Sequence, residues 1–170
     1  MVATDCVLGL GANLGDRRAT LDAAVSGIGA LGRLVGVSAL YETDPVGPPQ
    51  PDYLNAAVRL STPLASEKLL DELLAIERRH GRERRERWGP RRLDLDILWI
   101  SGRQVRTVRL EVPHPELPRR AFALLPLLDV APHAADPATG ERYAALAPGL
   151  DTSGARRVAG TAAGAWLQRR

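Results

Sequence analysis

The stretch RWGPRRLDLDIL, residues 87–98, runs an arginine-rich loop into a strand, and the other elements of the chain fall into place around it. From Leu93 to Ile100 (LDLDILWI) apolar and acidic residues alternate and then give way to an apolar run, the pattern of a buried strand. Alternate side chains of a strand share a face, so Asp94 and Asp96 point one way while Leu93, Leu95 and Ile97 point into a core. Upstream, Ser66 can cap a helix whose apolar face is Leu69, Leu70, Leu73, Leu74 and Ile76, with Gly81 to end it. RLVGVSALYET (33–43) and YLNAAVRLS (53–61) read as two strands. Between them DPVGPPQPD (44–52) places four prolines in nine residues, a stiff loop that supports neither helix nor ladder. DCVLGLGA (5–12) is a further strand, followed by a helix over about 16–31 with Asp16 as N-cap and Leu21, Ala24, Val25, Ile28 and Leu31 at helical spacing. Downstream, RLEV (109–112) predicts a short strand and PRRAFALLPLLDVAP (118–132) a helix, with Pro118 in its first turn. The order β-α-β-β-α-β predicts an α+β fold, a ferredoxin-like three-layer α/β/α sandwich with a mostly antiparallel sheet. Neither a repeat nor a linker interrupts the chain. It reads as a single domain over 1–170, with the Ala-, Gly- and Pro-rich residues 135–170 as a poorly patterned C-terminal extension.

Composition narrows the functional classes. With 170 residues, 45% hydrophobic and 25% charged, the chain is an ordinary globular protein that can build a core without disulfides or a structural metal. Cys6 is the single cysteine, which excludes an internal disulfide and a cysteine-based zinc site. The N-terminus carries Asp5 within a short apolar stretch, unlike a signal peptide, and no segment approaches the roughly 20 apolar residues of a membrane helix. A cytoplasmic protein is expected. The net charge of +3 hides an asymmetry: 22 of the 23 basic residues are arginine, and residues 78–92 hold eight of them against Glu83 and Glu86. That segment carries +6, so the rest of the chain sums to −3. Codon bias accounts for an excess of arginine but not for its position.

Two carboxylates on neighbouring positions of one strand face repel each other unless a cation lies beside them. Mg²⁺ prefers one or two carboxylates with phosphate oxygens and water, which Asp94 and Asp96 could supply with a nucleotide bound. The alternative open at this point is that both pair with nearby arginines on a solvated sheet face. Arginine forks suit phosphate and neutralise charge that develops in phosphoryl transfer. Carboxylates alone would indicate calcium, and arginines alone nucleic acid. Together they indicate a polyphosphate with metal. The chain has no GxxxxGK(S/T), and its one lysine, Lys68, sits within a predicted helix, so it is not a P-loop protein. Gly9 and Gly11 match only the start of GxGxxG, and no acidic residue follows at the distance a ribose requires, so the dinucleotide reading fails. Two other classes fit parts of the pattern, a nucleic-acid module in which Trp88 stacks on a base and a metal-dependent nucleotide hydrolase. A local +6 offset elsewhere is a poor general footprint for nucleic acid, and paired aspartates oppose a polyanion without metal.

Five segments together resemble the 6-hydroxymethyl-7,8-dihydropterin pyrophosphokinase family of folate biosynthesis: LGLGANLGD (8–16), YETDPVGPPQPDYLNA (41–56), IERRHGR (76–82), RWGPRRLDLDIL (87–98) and VPHPELPRRAF (112–122). The resemblance implies transfer of the β,γ-diphosphate of ATP to the pterin hydroxymethyl group, with release of AMP. It implies that Asp94 and Asp96 bind two Mg²⁺ ions, and that Arg82 and Arg91 contact the phosphates as the catalytic arginines. Glu77, Trp88, Ile97, His114 and Arg120 fall at positions near ATP, the adenine being read by backbone groups about Ile97 and Leu98. Tyr53 and Phe122 match the two rings that sandwich the pterin, and Asn55 matches the side chain that bonds its edge. Gly11 and Asn13 line the same pocket, while Thr43 and Pro45 begin a loop over it. The expected partners are small molecules, with no nucleic acid and no membrane, and a monomer is expected. Both lid loops are about one residue shorter than in familiar members, and Pro115 replaces an aromatic that often follows the histidine.

Overall fold

The computed structural model describes residues 2–81 and 92–168. The element order is β1 (Thr4–Ala12), α1 (Arg17–Gly29), β2 (Arg33–Val37), β3 (Tyr41–Thr43), β4 (Tyr53–Thr62), α2 (Ser66–Arg79), β5 (Asp94–Ile100), β6 (Val105–Arg106), β7 (Glu111–Val112), α3 (Ala121–Val130) and β8 (Ala155–Arg157). In the main sheet the strands lie in the order β5-β1-β4-β3-β8, with β2 also beside β4. β1 is antiparallel to β4 from Thr4↔Thr62 to Ala12↔Leu54, and antiparallel to β5 on its other side. If β2 and β3 are taken as one interrupted strand, the spatial order is fourth-first-third-second. That is the split β-α-β arrangement expected from the order of elements.

Strand alternation divides the core between the two faces of the sheet. Leu8, Leu10, Leu54, Ala56, Val58, Leu95 and Ile97 join Leu21, Val25 and Ile28 of α1 and Leu69, Leu73 and Ile76 of α2. On the other face Val7, Ala57, Leu98 and Trp99 pack against Ala123, Leu124, Leu127 and Val130 of α3. Three layers result, with α3 as the main cover of the second face among the described residues. Fully burying a leucine such as Leu8 or Leu124 stabilises the fold by about 1.5–3 kcal/mol. Desolvation pushes the Cys6 thiol up to about 12, helped by Asp5, so this cysteine is a core side chain and not a nucleophile.

Several elements depart from the sequence pattern. The strand predicted over 33–43 is broken at residues 38–40. There the Ala57 N–H donates to Ser38 Oγ at 2.8 Å, the Ala39 N–H to Asp129 at 3.1 Å and the Leu40 N–H to Thr161 Oγ1 at 3.0 Å. Side chains from distant parts of the chain replace the ladder. Ser66 is the first residue of α2 rather than its cap; Ala65 occupies the N-cap without a side-chain bond. Gly81, at φ +74, does follow the helix, in the left-handed conformation that glycine adopts readily. α3 begins at Ala121, later than Pro118, after turns in which Leu117 and Arg119 donate to the His114 and Glu116 carbonyls. The strand at 109–112 shortens to β7 and pairs with β6, which the pattern did not indicate.

The extension beyond residue 135 is ordered on the sheet. β8 adds to the outer edge of β3, and a 3-10 segment (Tyr143–Gly149) packs against the α3 layer. Trp166 is 2% exposed, lies in the α1/α2 core and donates its indole N–H to the Ser38 carbonyl at 2.8 Å. Among the described residues no helix is long and apolar enough to cross a membrane.

Candidate active site

The register of the three central strands assembles the site. Asp94 lies opposite Gly11 and Gly11 opposite Asn55; in the next row on the same face, Asp96 lies opposite Gly9 and Gly9 opposite Ala57. Glycines at 9 and 11 remove the side chains that would otherwise stand between the carboxylates and Asn55. With two interstrand spacings between them, the backbones of Asp94 and Asn55 are roughly 10 Å apart. At Gly11 the missing Cβ is required: one built there would meet Asn55 Oδ1 at 2.7 Å and the Tyr53 ring at 3.5 Å.

One end of this face is a tight cluster of buried polar side chains. Asn55 is 6% exposed and Thr43 4%, and Asn55 Nδ2 donates to Thr43 Oγ1 at 2.6 Å. That bond assigns the amide and directs Oδ1, an acceptor, over Gly11. Asn13, also buried, donates from Nδ2 to Gln50 Oε1 and to the Pro51 carbonyl, each at 2.9 Å. It thereby anchors the proline-rich loop from inside. Pro45 is half-buried at the start of that loop. Tyr53 opens β4, and Phe122, in the first turn of α3, is half-buried against the cluster that contains Ala57. The structure therefore brings Gly11, Asn13, Thr43, Tyr53 and Asn55 together and places Phe122 in the layer above the same face.

The other end is more open. The Asp96 side chain is 42% exposed and that of His114 31%, with His114 Nε2 3.9 Å from Asp96 Oδ1. The Glu116 N–H donates to His114 Nδ1 at 3.1 Å, so in the neutral ring the proton sits on Nε2, which faces the carboxylate. Burial lowers the His114 pKa below its usual value, outweighing the carboxylates of Asp94, Glu116 and Glu111, so the ring is neutral at pH 7. The His114 N–H itself donates to the Leu98 carbonyl at 2.9 Å and fixes the loop against β5. Arg120, the N-cap of α3, donates from Nε to Glu116 at 3.1 Å.

Other expected residues have structural partners. Glu77 is 1% exposed, and its Oε2 accepts from the Leu95 N–H at 3.4 Å, so it covers the outer edge of β5. The Ile97 side chain lies in the α1/α2 core, on the face opposite Asp94 and Asp96, which leaves only its backbone for recognition. Arg82, Trp88 and Arg91, with Arg84 and Arg85, lie outside the described residues. Sequence reasoning passed over Arg17, which donates to Glu42 at 3.3 Å and to the Asp52 carbonyl at 3.0 Å. It gave no role to Arg156 either, and that residue bonds both Asp44 and Asp52 at 3.1 Å. Neither arginine stands in a motif; only the concentration of acidic residues at 42, 44 and 52 hinted at cationic partners.

The donor set fits magnesium held jointly with substrate. Among the described residues no group of three or more His, Cys, Asp or Glu gathers to bind a metal unaided. Two half-exposed carboxylates beside glycine-cleared space offer hard oxygen ligands on one side and room for phosphate oxygens on the other.

Comparison with known proteins places the chain in a family. A family model described as 7,8-dihydro-6-hydroxymethylpterin-pyrophosphokinase (HPPK) matches residues 7–132. Relatives named 2-amino-4-hydroxy-6-hydroxymethyldihydropteridine pyrophosphokinase include one from Synechocystis, 40% identical over 90% of this chain and 80% of its own. One from Methylorubrum extorquens is 43% identical over 91% of this chain and 99% of its own, and one from Pseudomonas aeruginosa 48% over 72% and 78%. Among solved structures, an HPPK-DHPS in complex with substrates superposes with a TM-score of 0.70 at 13% identity, and the Plasmodium falciparum wild-type HPPK-DHPS with STZ-DHP with 0.69 at 15%. These alignments cover 88% and 86% of this chain but only 43% of either longer chain, so they speak to the fold alone. A family model spanning most of the chain, relatives of matching length and a glycine-cleared carboxylate face lead to one assignment: the chain belongs to the 7,8-dihydro-6-hydroxymethylpterin-pyrophosphokinase family.

Proposed function

We propose that this protein transfers the β,γ-diphosphate of ATP to the hydroxymethyl group of 6-hydroxymethyl-7,8-dihydropterin, releasing AMP, as a step of folate biosynthesis. The observation that carries the reading is the row Asp94–Gly11–Asn55, which sets a carboxylate and a buried polar side chain two strands apart on one sheet face. Asn55 Oδ1, held by Thr43, accepts from the N–H edge of the pterin, while the rings of Tyr53 and Phe122 stack on its faces. Asn13 holds the 44–52 loop over the pocket, with Pro45 at its entry. The pterin's hydroxymethyl group then points along the row toward the aspartates.

At the other end Asp94 and Asp96 would hold two Mg²⁺ ions together with the ATP phosphates. Bound there, magnesium would neutralise phosphate charge and lower the pKa of the attacking hydroxyl. His114 donates from Nε2 to a phosphate oxygen as a neutral group, and Arg120, steadied by Glu116, supplies a cation at the same rim. Arg82 and Arg91 act as the phosphate-contacting arginines, and Trp88 covers the nucleotide. Glu77 serves by bracing β5, and the adenine is read by the backbone beside Ile97. The protein's contribution is chiefly positioning and charge neutralisation. The packing of residues 135–168 on the same sheet supports a single domain over 1–170. Its partners in this reading are small molecules, and it acts as a cytoplasmic monomer.

The test is to incubate the protein with Mg²⁺, ATP and the reduced hydroxymethylpterin. AMP should form in step with a pterin diphosphate. Pterin-independent phosphate release, or ADP in place of AMP, would overturn the reading.

A further inference from the structure

The loop 44–52 is fastened at its base by the C-terminal extension. β8 pairs with β3 so that Arg156 lies opposite Glu42, and the Asp44 N–H donates to the Gly154 carbonyl at 2.8 Å. From that position one guanidinium reaches both ends of the loop: Nη1 to Asp44 Oδ1 and Nη2 to Asp52 Oδ2, each at 3.1 Å. Gly154 is the neighbour that permits this, since a Cβ there would meet Asp44 Oδ2 at 3.0 Å. Arg17 completes the base from α1, bonding Glu42 and the Asp52 carbonyl. A chain of alternating charge, Arg17, Glu42, Arg156 and the two aspartates, thus closes the mouth of a loop that begins and ends on adjacent strands. Arg156 lies outside residues 7–132, the span matched by the family model.

We propose that Arg156 is a positioning residue, by which the C-terminal strand clamps the two ends of the 44–52 loop and so sets how firmly that loop covers the pterin pocket. The part about the pterin rests on the function proposed above; the clamp itself does not. Single exposed ion pairs contribute little. Here one planar fork serves two carboxylates that the backbone already holds close, so little further ordering is required. A lysine could satisfy only one of them at a time.

Arg156→Gln and Arg156→Lys test the clamp in the full-length protein. Hydrogen exchange at Val46, Gly47, Gln50 and Asp52 should accelerate several-fold in Arg156→Gln and by less in Arg156→Lys, with β3 and β8 still protected. Raising the salt should move the wild-type protein toward the Arg156→Gln rates and leave that variant unchanged. In turnover, KM for the pterin should rise roughly three- to tenfold while KM for ATP stays constant. Unchanged exchange in the loop, or acceleration spread equally over β3 and β8, would overturn the clamp. Should wild-type protein release no AMP, the substrate reading fails while the exchange comparison still decides the clamp.

Discussion

The two ends of the active face are built on different principles. At the Asn55 end, Asn13, Thr43 and Asn55 are all buried and their amides and hydroxyl are tied to one another or to the loop. At the aspartate end, Asp96 and His114 are about a third or more exposed and separated by 3.9 Å, too far for a direct hydrogen bond. The first end is fixed by its own hydrogen bonds, as the proposed recognition of a flat heteroaromatic edge would demand. The second sets carboxylates on a more open rim, the arrangement that the proposed metal and polyphosphate, which bring their own ligands, would require. The division predicts that substitutions at the two ends separate in what they damage.

The largest effect is expected from Asp94→Ala and Asp96→Ala. Each should reduce turnover by at least about a thousandfold, on the order of 4 kcal/mol of transition-state stabilisation, with the circular dichroism spectrum retained. Turnover within tenfold of wild type would remove the metal assignment. Next is Gly11→Ala, where the new methyl collides with Asn55 Oδ1 at 2.7 Å. Pterin affinity should fall by roughly ten- to a hundredfold, the scale of a misplaced buried hydrogen-bonding group. Thr43→Val removes the partner of a buried amide and should cost about 1–3 kcal/mol in unfolding free energy, with a smaller loss of pterin affinity than Gly11→Ala. Equal losses in the two variants would show that the pocket tolerates displacement of Asn55.

The smallest effect concerns His114. Its folded-state pKa is lowered from the ordinary 6.5 mainly by burial. Above that value the ring is neutral in both states and its stabilising contribution is complete. As the pH falls below 6.5 the unfolded chain takes up the proton first, so stability declines until the folded-state value is passed. His114→Gln should flatten that part of the acid limb in denaturation experiments between pH 7 and 5. An unaltered slope would show that other groups carry it.

Much of the fold was legible because its elements have strong periodicity. β1, α1, β4, α2 and β5 all lie where leucine spacing or alternation put them. The break at 38–40 was not, because it depends on Asp129 and Thr161, 90 and 121 residues away from the amides they bind. Nor was β8, whose three residues (Ala155, Arg156, Arg157) have no strand pattern and pair through the backbone. In the site, the family resemblance named the individual residues, while their row across β5, β1 and β4 needed the register. Ile97 packs into the helix-side core, where its alternation with Asp96 put it, whereas the bond from the Leu95 N–H to Glu77 at the edge of β5 had no signal in the sequence.

The most direct measurement is a crossed titration: the dissociation constants of the pterin and of a magnesium-loaded, non-hydrolysable ATP analogue, each determined for Gly11→Ala and Asp96→Ala. Gly11→Ala should weaken the pterin at least tenfold and leave the nucleotide within about twofold, and Asp96→Ala should do the reverse. If both variants weaken both ligands alike, the face is not divided into a preformed pterin pocket and a substrate-completed metal site, and the account is wrong.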